Sequence, residues 1–160
     1  MITFDSAIKK AWDVYFNREN YAYLMGCKGQ VLQNRKQFDE IVSWSPDHFK
    51  RYSAEQLDQI YKYCLGKICF DCSGFIYYLT GDYNYSAIQW SHCKENKSLA
   101  DGVAGSLLYK PGHIGIDIGY GNFMHFPIEM KTIEIGRIRD YSWTKSGLHK
   151  NLDYTGSTNK

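Results

Sequence analysis

Apolar positions recur every three or four residues in the first half of the chain and alternate in the second. Over residues 5–16, Ala7, Ile8, Ala11 and Tyr15 fall on one stripe, which predicts an amphipathic helix. Residues 31–42 read as a second helix, and Ser45-Pro46 suits a helix start. Ser53-Ala54-Glu55-Gln56 is a capping-box pattern, followed at helical spacing by Leu57, Ile60, Tyr61 and Cys64. The apolar run from Cys72 to Thr80 predicts a buried helix closed by Gly81. Residues 86–94 read as a further short helix, and 21–29 as a Gly-punctuated loop. Beyond residue 105 the period changes. Segments 106–109, 113–118, 122–126 and 131–135 read as short strands with Gly/Asn turns between them. Helices first and antiparallel strands second predict an α+β domain over 1–154, with 155–160 as a loose tail.

A chain of 160 residues is long enough for one hydrophobic core. Aromatic residues make up 16%, including 14 Tyr, which excludes a disordered chain and favours an aromatic-lined groove. The net charge of +2, with both signs interspersed, excludes nucleic acid as the expected partner. No stretch reaches the roughly 18 apolar residues of a membrane span. Met1-Ile2-Thr3-Phe4-Asp5 lacks a basic region followed by a long apolar one, so synthesis in a cytoplasm without a signal peptide is expected. The five cysteines, an odd number, argue against a disulfide framework.

Candidate chemistry centres on Phe70-Asp71-Cys72-Ser73-Gly74 and Gly112-His113-Ile114-Gly115. Cys72 sits where a helix begins. Unpaired N–H groups and the helix dipole lower a thiol's pKa there, and an imidazole lowers it further. Alkylation of Cys72 near pH 6, ahead of the other four cysteines, is the expectation. The N–H of Cys72 or of Ser73 could face a developing oxyanion, and Gly74 lets another backbone or a substrate approach closely. In strand 113–118, His113, Gly115 and Asp117 share one face and Ile114, Ile116 and Ile118 the other. The His113 face is expected to lie under the Cys72 helix, with Gly115 leaving room. A three-residue loop, Gly119-Tyr120-Gly121, would pair Ile118 with Asn122 and set His125 diagonal to His113. His113 then serves as base and His125 as its orienter. Asp117 either supplies local charge or is solvated. The spacing Cys64-x4-Cys69-x2-Cys72 with Cys93 also fits an iron–sulfur loop, and Cys69, Cys72, His92 and Cys93 a zinc site. Cys64 closing an apolar helical stripe favours core packing instead, so no metal is expected.

These residues resemble the NlpC-type cell-wall cysteine peptidases, a papain-like family acting on peptidoglycan, over most of the chain. Asp71-Cys72-Ser73-Gly74-Phe75 looks like the family's nucleophile motif. Residues Lys110 to Gly119 look like its histidine strand, and Asn122-Phe123-Met124-His125 like the strand of its third polar residue. Tyr23-Leu24-Met25-Gly26 resembles the loop whose tyrosine lies beside the thiol, and residues 140–143 and 152–154 resemble the closing segment of short gut Firmicutes and phage members. Residues 30–69 depart as a helical insertion. Asp117 stands where an apolar or aromatic residue is usual, and short members often carry a carboxylate at the position of His125. The resemblance implies a papain-like core of N-terminal helices on a small antiparallel sheet. It further implies action on the D-glutamyl–diamino acid bond of stem peptides, with Tyr23 beside the thiol; a monomer without cofactor, working through a thioester with Tyr23 and Ser73 at the oxyanion, is the expectation. An amidase or acyl transferase on the same thiol, and a non-catalytic wall-binding module, are the alternatives. A wall target without an export signal suggests phage- or prophage-borne release.

Overall fold

A computed structural model describes residues 1–157; residues 158–160 of the expected tail lie outside the described residues. Strand β1 (Ile2–Thr3) leads into helix α1 (Phe4–Phe16), where the Thr3 side chain accepts the Ser6 N–H at 3.1 Å. Ala7, Ala11 and Val14, spaced by four and three, form its buried stripe. Strands β2 (Tyr21–Tyr23), β3 (Lys28–Val31) and, after the insertion, β4 (Ile68–Phe70) form a small sheet in the order β2-β4-β3. The insertion carries α2 (Arg35–Trp44), α3 (Pro46–Phe49) and α4 (Ala54–Cys64), the last opened by the complete Ser53/Gln56 capping box. Helix α5 (Cys72–Thr80) follows, ended by Gly81 at φ 77, and then α6 (Ser86–Ser91).

Strands β5 (Cys93–Glu95), β6 (Leu107–Lys110), β7 (His113–Gly119), β8 (Asn122–His125), β9 (Glu134–Arg137) and β10 (Lys145–His149) build an antiparallel sheet in the order β5-β10-β6-β7-β8-β9. Strand β11 (Leu152–Asp153) pairs with β1, bringing the first and last elements together. The α+β class is as expected.

Two cores flank the small sheet. Phe75, Ile76 and Leu79 of α5 pack on Ile114, Ile116, Met124 and Phe126 of the large sheet, with α1 alongside. Leu24, Leu32, Phe38, Ile41, Phe49 and Ile60 close a second core under the insertion helices. Cys64 and Cys69 belong to this second core, together with Cys27, whereas Cys72 belongs to the first. The cysteines of the iron–sulfur-like spacing are thus divided between two cores.

The expected orientation of β7 is reversed. The isoleucine row, not the His113 row, faces α5, because an apolar helix buries the apolar face of a strand. Gly115 opens room for Trp143 on the opposite face, where an added Cβ would lie 2.9 Å from the indole. The hairpin loop is also shorter than expected. Gly119 pairs with Asn122, leaving a two-residue turn in which Tyr120 and Gly121 take φ of 57 and 79. A bulge between Asp117 and Gly119 then absorbs one residue, and the register beyond it returns to the expected one, with Ile116 opposite Met124.

Candidate active site

The start of α5 is held by its cap. Asp71 accepts the Gly74 N–H at 2.7 Å and the Ser73 hydroxyl at 2.9 Å on one oxygen, and the Gly26 N–H at 3.0 Å on the other. Its own N–H donates to the Cys27 carbonyl at 3.0 Å. The loop after β2 is thereby pressed onto the helix, and Gly74 is the residue that allows it. Lys28 donates from Nζ to the Ser73 hydroxyl and to the Asn84 carbonyl, and stands 3.5 Å from Asp71. The Ser73 side chain therefore serves the cap, and only its N–H is directed at the thiol.

The Cys72 sulfur lies against the start of β7, where the N–H of Ile114 and that of Ser73 point at it. The helix start does not make it a thiolate at neutral pH. Burial and the neighbouring Asp71 charge push the thiol up to about 12, against the pull of the two N–H groups and of Lys28. The expectation of a depressed pKa is corrected: a desolvated thiolate costs more than the helix terminus returns.

His113 Nε2 and His125 Nδ1 are 2.7 Å apart. With Nε2 engaged, Nδ1 is the His113 nitrogen left for a thiol. Burial, then the Lys110 charge, lowers His113 to about 4; burial, then His113, lowers His125 to about 3. Both imidazoles are neutral at pH 7. Trp143 stacks on His113 at 5.3 Å and 7°, and the Tyr141 ring lies 5.2 Å from His125. On the far side, His125 Nε2 stands 3.8 Å from Glu134, which Lys131 holds at 3.2 Å. Sequence reasoning brings in Tyr141 and Trp143 only within the 140–143 closing segment and gives Glu134 no role, although Glu134 pairs directly with His125 across β8 and β9.

Tyr23 ends β2 and is buried. Burial, then the Cys72 and Glu129 charges, raises its pKa, so the phenol remains an O–H donor beside the thiol. Its loop is pinned from behind by Glu129. That buried carboxylate accepts the Met25 N–H at 3.0 Å and the Tyr52 hydroxyl at 2.8 Å, and pairs with His48 at 2.7 Å. His48 and Tyr52 belong to the insertion, which therefore braces the Tyr23 loop. Asp117 is buried rather than solvated and sits farther along the His113 face; its Oδ1 accepts the Gly119 N–H at 2.8 Å.

One ligand-type trio does converge among the described residues: Asp82, His92 and His149. His149 Nδ1 accepts the Asn151 N–H at 3.0 Å, so its proton is on Nε2, which donates to Asp82 at 2.8 Å. His92 Nδ1 reaches the same oxygen at 2.7 Å, and Asn84 donates to the other at 2.6 Å. Burial opposes these donors, yet they hold Asp82 at about 2. The trio works as a hydrogen-bonded clasp joining the end of α5 to β10, not as a set of free imidazole ligands.

Replacing Lys28 by Met removes the cation beside Asp71 and Cys72. Alkylation of Cys72 by iodoacetamide at pH 8 should slow by about tenfold, the effect of one further unit of pKa. Rates followed by mass spectrometry from pH 6 to 10 test this; an unchanged profile would show that Lys28 only braces the loop.

The family model described as "NlpC/P60 family" matches residues 58–151, more than half of the chain and inclusive of Cys72, His113 and His125. No curated protein matches the chain. Among solved structures, that of NlpC2 from Trichomonas vaginalis is similar at a TM-score of 0.54 and 12% identity, over 91% of this chain and 46% of that one. At such identity the likeness speaks for the fold, and this chain spans about half the length of that protein. A capped cysteine helix packed on an antiparallel strand that begins with a paired histidine, together with the match over 58–151, places the chain in the NlpC/P60 family of cell-wall cysteine peptidases.

Proposed function

We propose that this chain is a cysteine peptidase that hydrolyses the D-glutamyl–diamino acid bond of peptidoglycan stem peptides. The observation that carries the reading is the 2.7 Å His113–His125 pair at the strand end against which the Cys72 sulfur is seated. Cys72 is the nucleophile. At rest both thiol and imidazole are neutral, so attack and proton transfer to His113 Nδ1 occur together. His113 Nε2–H donates to His125 Nδ1, and the His125 Nε2–H is turned to Glu134, an order that keeps the His113 lone pair on the thiol. The carbonyl oxygen takes its developing charge to the Cys72 N–H and the Tyr23 hydroxyl. The amine leaves with the proton held by His113. Water, deprotonated by the same imidazole, then cleaves the thioester and returns the thiol.

Digestion of purified sacculi by the full chain, with mass analysis of released fragments, tests the bond. The expected products carry a new amino terminus on the diamino acid. Fragments with an intact stem peptide freed from the sugar lactyl group would replace this reading by an amidase. Products joined to an added amine would replace it by acyl transfer, and no release from walls of several cross-link types would remove it.

A further inference from the structure

A concavity of about 440 Å³ opens on the sheet face that carries the histidines, at the hairpin end of β7. Its floor is Asp117, and its walls include Leu99, Gly102, Ile138 and Tyr141. Asp117 is 5% exposed. One oxygen is used within its own turn, by the Gly119 N–H at 2.8 Å. The other lies on the Gly102 side, where an added Cβ would come within 3.1 Å of it, so the absence of a side chain at residue 102 keeps that oxygen open to the cavity. Among the described residues, no Lys, Arg or His nitrogen stands within 4.0 Å of this carboxylate. A carboxylate oxygen on a cavity wall, with no cation of the described residues within 4.0 Å, is open to an ammonium brought from outside. Arg137 and Arg139 line the same cavity from its exposed side; Arg139 has only a 3.9 Å contact with the exposed Asp140. One cavity thus presents a carboxylate and two arginines, and Tyr141 also lines it, with the Lys110 ammonium over its ring at 4.7 Å.

We propose that this cavity binds a zwitterionic amino-acid group, its ammonium on Asp117 and its carboxylate on Arg137 and Arg139. A divalent cation fits less well, since it needs several oxygen ligands and the cavity offers one carboxylate. The site does not depend on the thiol, and its occupant is either a free amino acid or the zwitterionic group of a short peptide. Tyr141 is shared with the histidine pair, so an occupant would sit beside the candidate active site without touching Cys72.

Calorimetric titration of the full chain with alanine of both hands, L-lysine and alanyl-alanine tests the proposal, each alongside its N-acetyl and carboxamide forms. Zwitterions are expected to bind, and blocking either end to weaken binding by about tenfold or more, the loss of one charge-assisted contact. Asp117→Asn should reproduce the effect of N-acetylation, and the paired Arg137→Gln, Arg139→Gln variant that of amidation, while Cys72→Ala binds as wild type. The arginines are exposed, so that double variant remains informative should Asp117→Asn melt early. A stronger response to lysine or alanine than to the dipeptide assigns the cavity to free amino acids, and the reverse to peptides. Failure of every probe to bind below about 10 mM, or equal affinity for blocked and free forms, overturns the proposal.

Discussion

Cys72→Ala is expected to leave no measurable release of wall fragments, and His113→Ala to lower kcat/KM by about three to four orders of magnitude. Neither should disturb the fold greatly: alanine fits where the thiol was, and His113 lies at a strand end. The more discriminating result is the pH profile. In the proposed mechanism His113 is neutral when it takes the thiol proton, and burial holds it at about 4. Activity should therefore rise through pH 4 and be level by pH 6, instead of rising near the usual imidazole value of about 6.5. The alkaline limit is set by Cys72, pushed up to about 12, so a broad plateau spans neutrality. Stability has the matching sign. Imidazoles depressed in the folded state stay neutral while the unfolded chain takes up protons, so stability falls from about pH 6.5 downward, until His113 itself charges near 4. Progress curves on a soluble stem peptide, with melting curves at the same pH values, check both. An acid limb at 6.5 would show that His113 titrates as a solvated group. His125→Ala should fall between wild type and His113→Ala, because in the proposed mechanism it removes the orienter and leaves the base.

The helices at 54 and 72 were legible because each had two independent marks, whereas the stretch 86–94, with none, divides into a helix over Ser86–Ser91 and strand Cys93–Glu95. The Cys72 helix has an Asp cap before it and a glycine in the left-handed region after it; the helix at 54 has its box. The small sheet left no such mark. Its strands β2 and β4 are three residues long, too short for alternation to show, and their pairing spans an insertion of three helices. On β7 the alternation correctly grouped His113 with Gly115 and Asp117, but period alone does not say which face meets a helix. The isoleucine row answers that question, and Gly115 was assigned the wrong neighbour. The pairing of His113 with His125 was legible from the hairpin despite the wrong loop length, because a bulge cancelled the error. The thiol's charge state was not legible. It depends on burial, which follows from how tightly the loop at 26–28 and the sheet enclose the helix start.

That enclosure makes Gly74→Ala the substitution with the largest expected effect on stability. A Cβ at residue 74 would lie 2.2 Å from the Cys27 carbonyl oxygen and 3.2 Å from an Asp71 carboxylate oxygen. The first contact is with backbone, so no rotamer change relieves it. The Cys27 carbonyl is itself fixed, accepting the Asp71 N–H at 3.0 Å, and Cys27 is fully buried. Either the loop lifts from α5 or the helix start moves away, and both break the Asp71 cap that seats Cys72. Overpacking against backbone costs about 3 kcal/mol or more, a fall in Tm of roughly 6–12 °C for a domain of this size. Gly81→Ala provides the contrast. That glycine has φ 77 but nothing within 4 Å of an added Cβ, so only the left-handed backbone is penalised, by about 1 kcal/mol. Thermal unfolding of both variants by circular dichroism tests the difference. Equal melting of the two would mean that the loop is not pressed on the helix, and with it would go the physical reason for the buried, neutral thiol. If Gly74→Ala melts early while its folded fraction alkylates at Cys72 faster than wild type, the enclosure is what holds the thiol's pKa up.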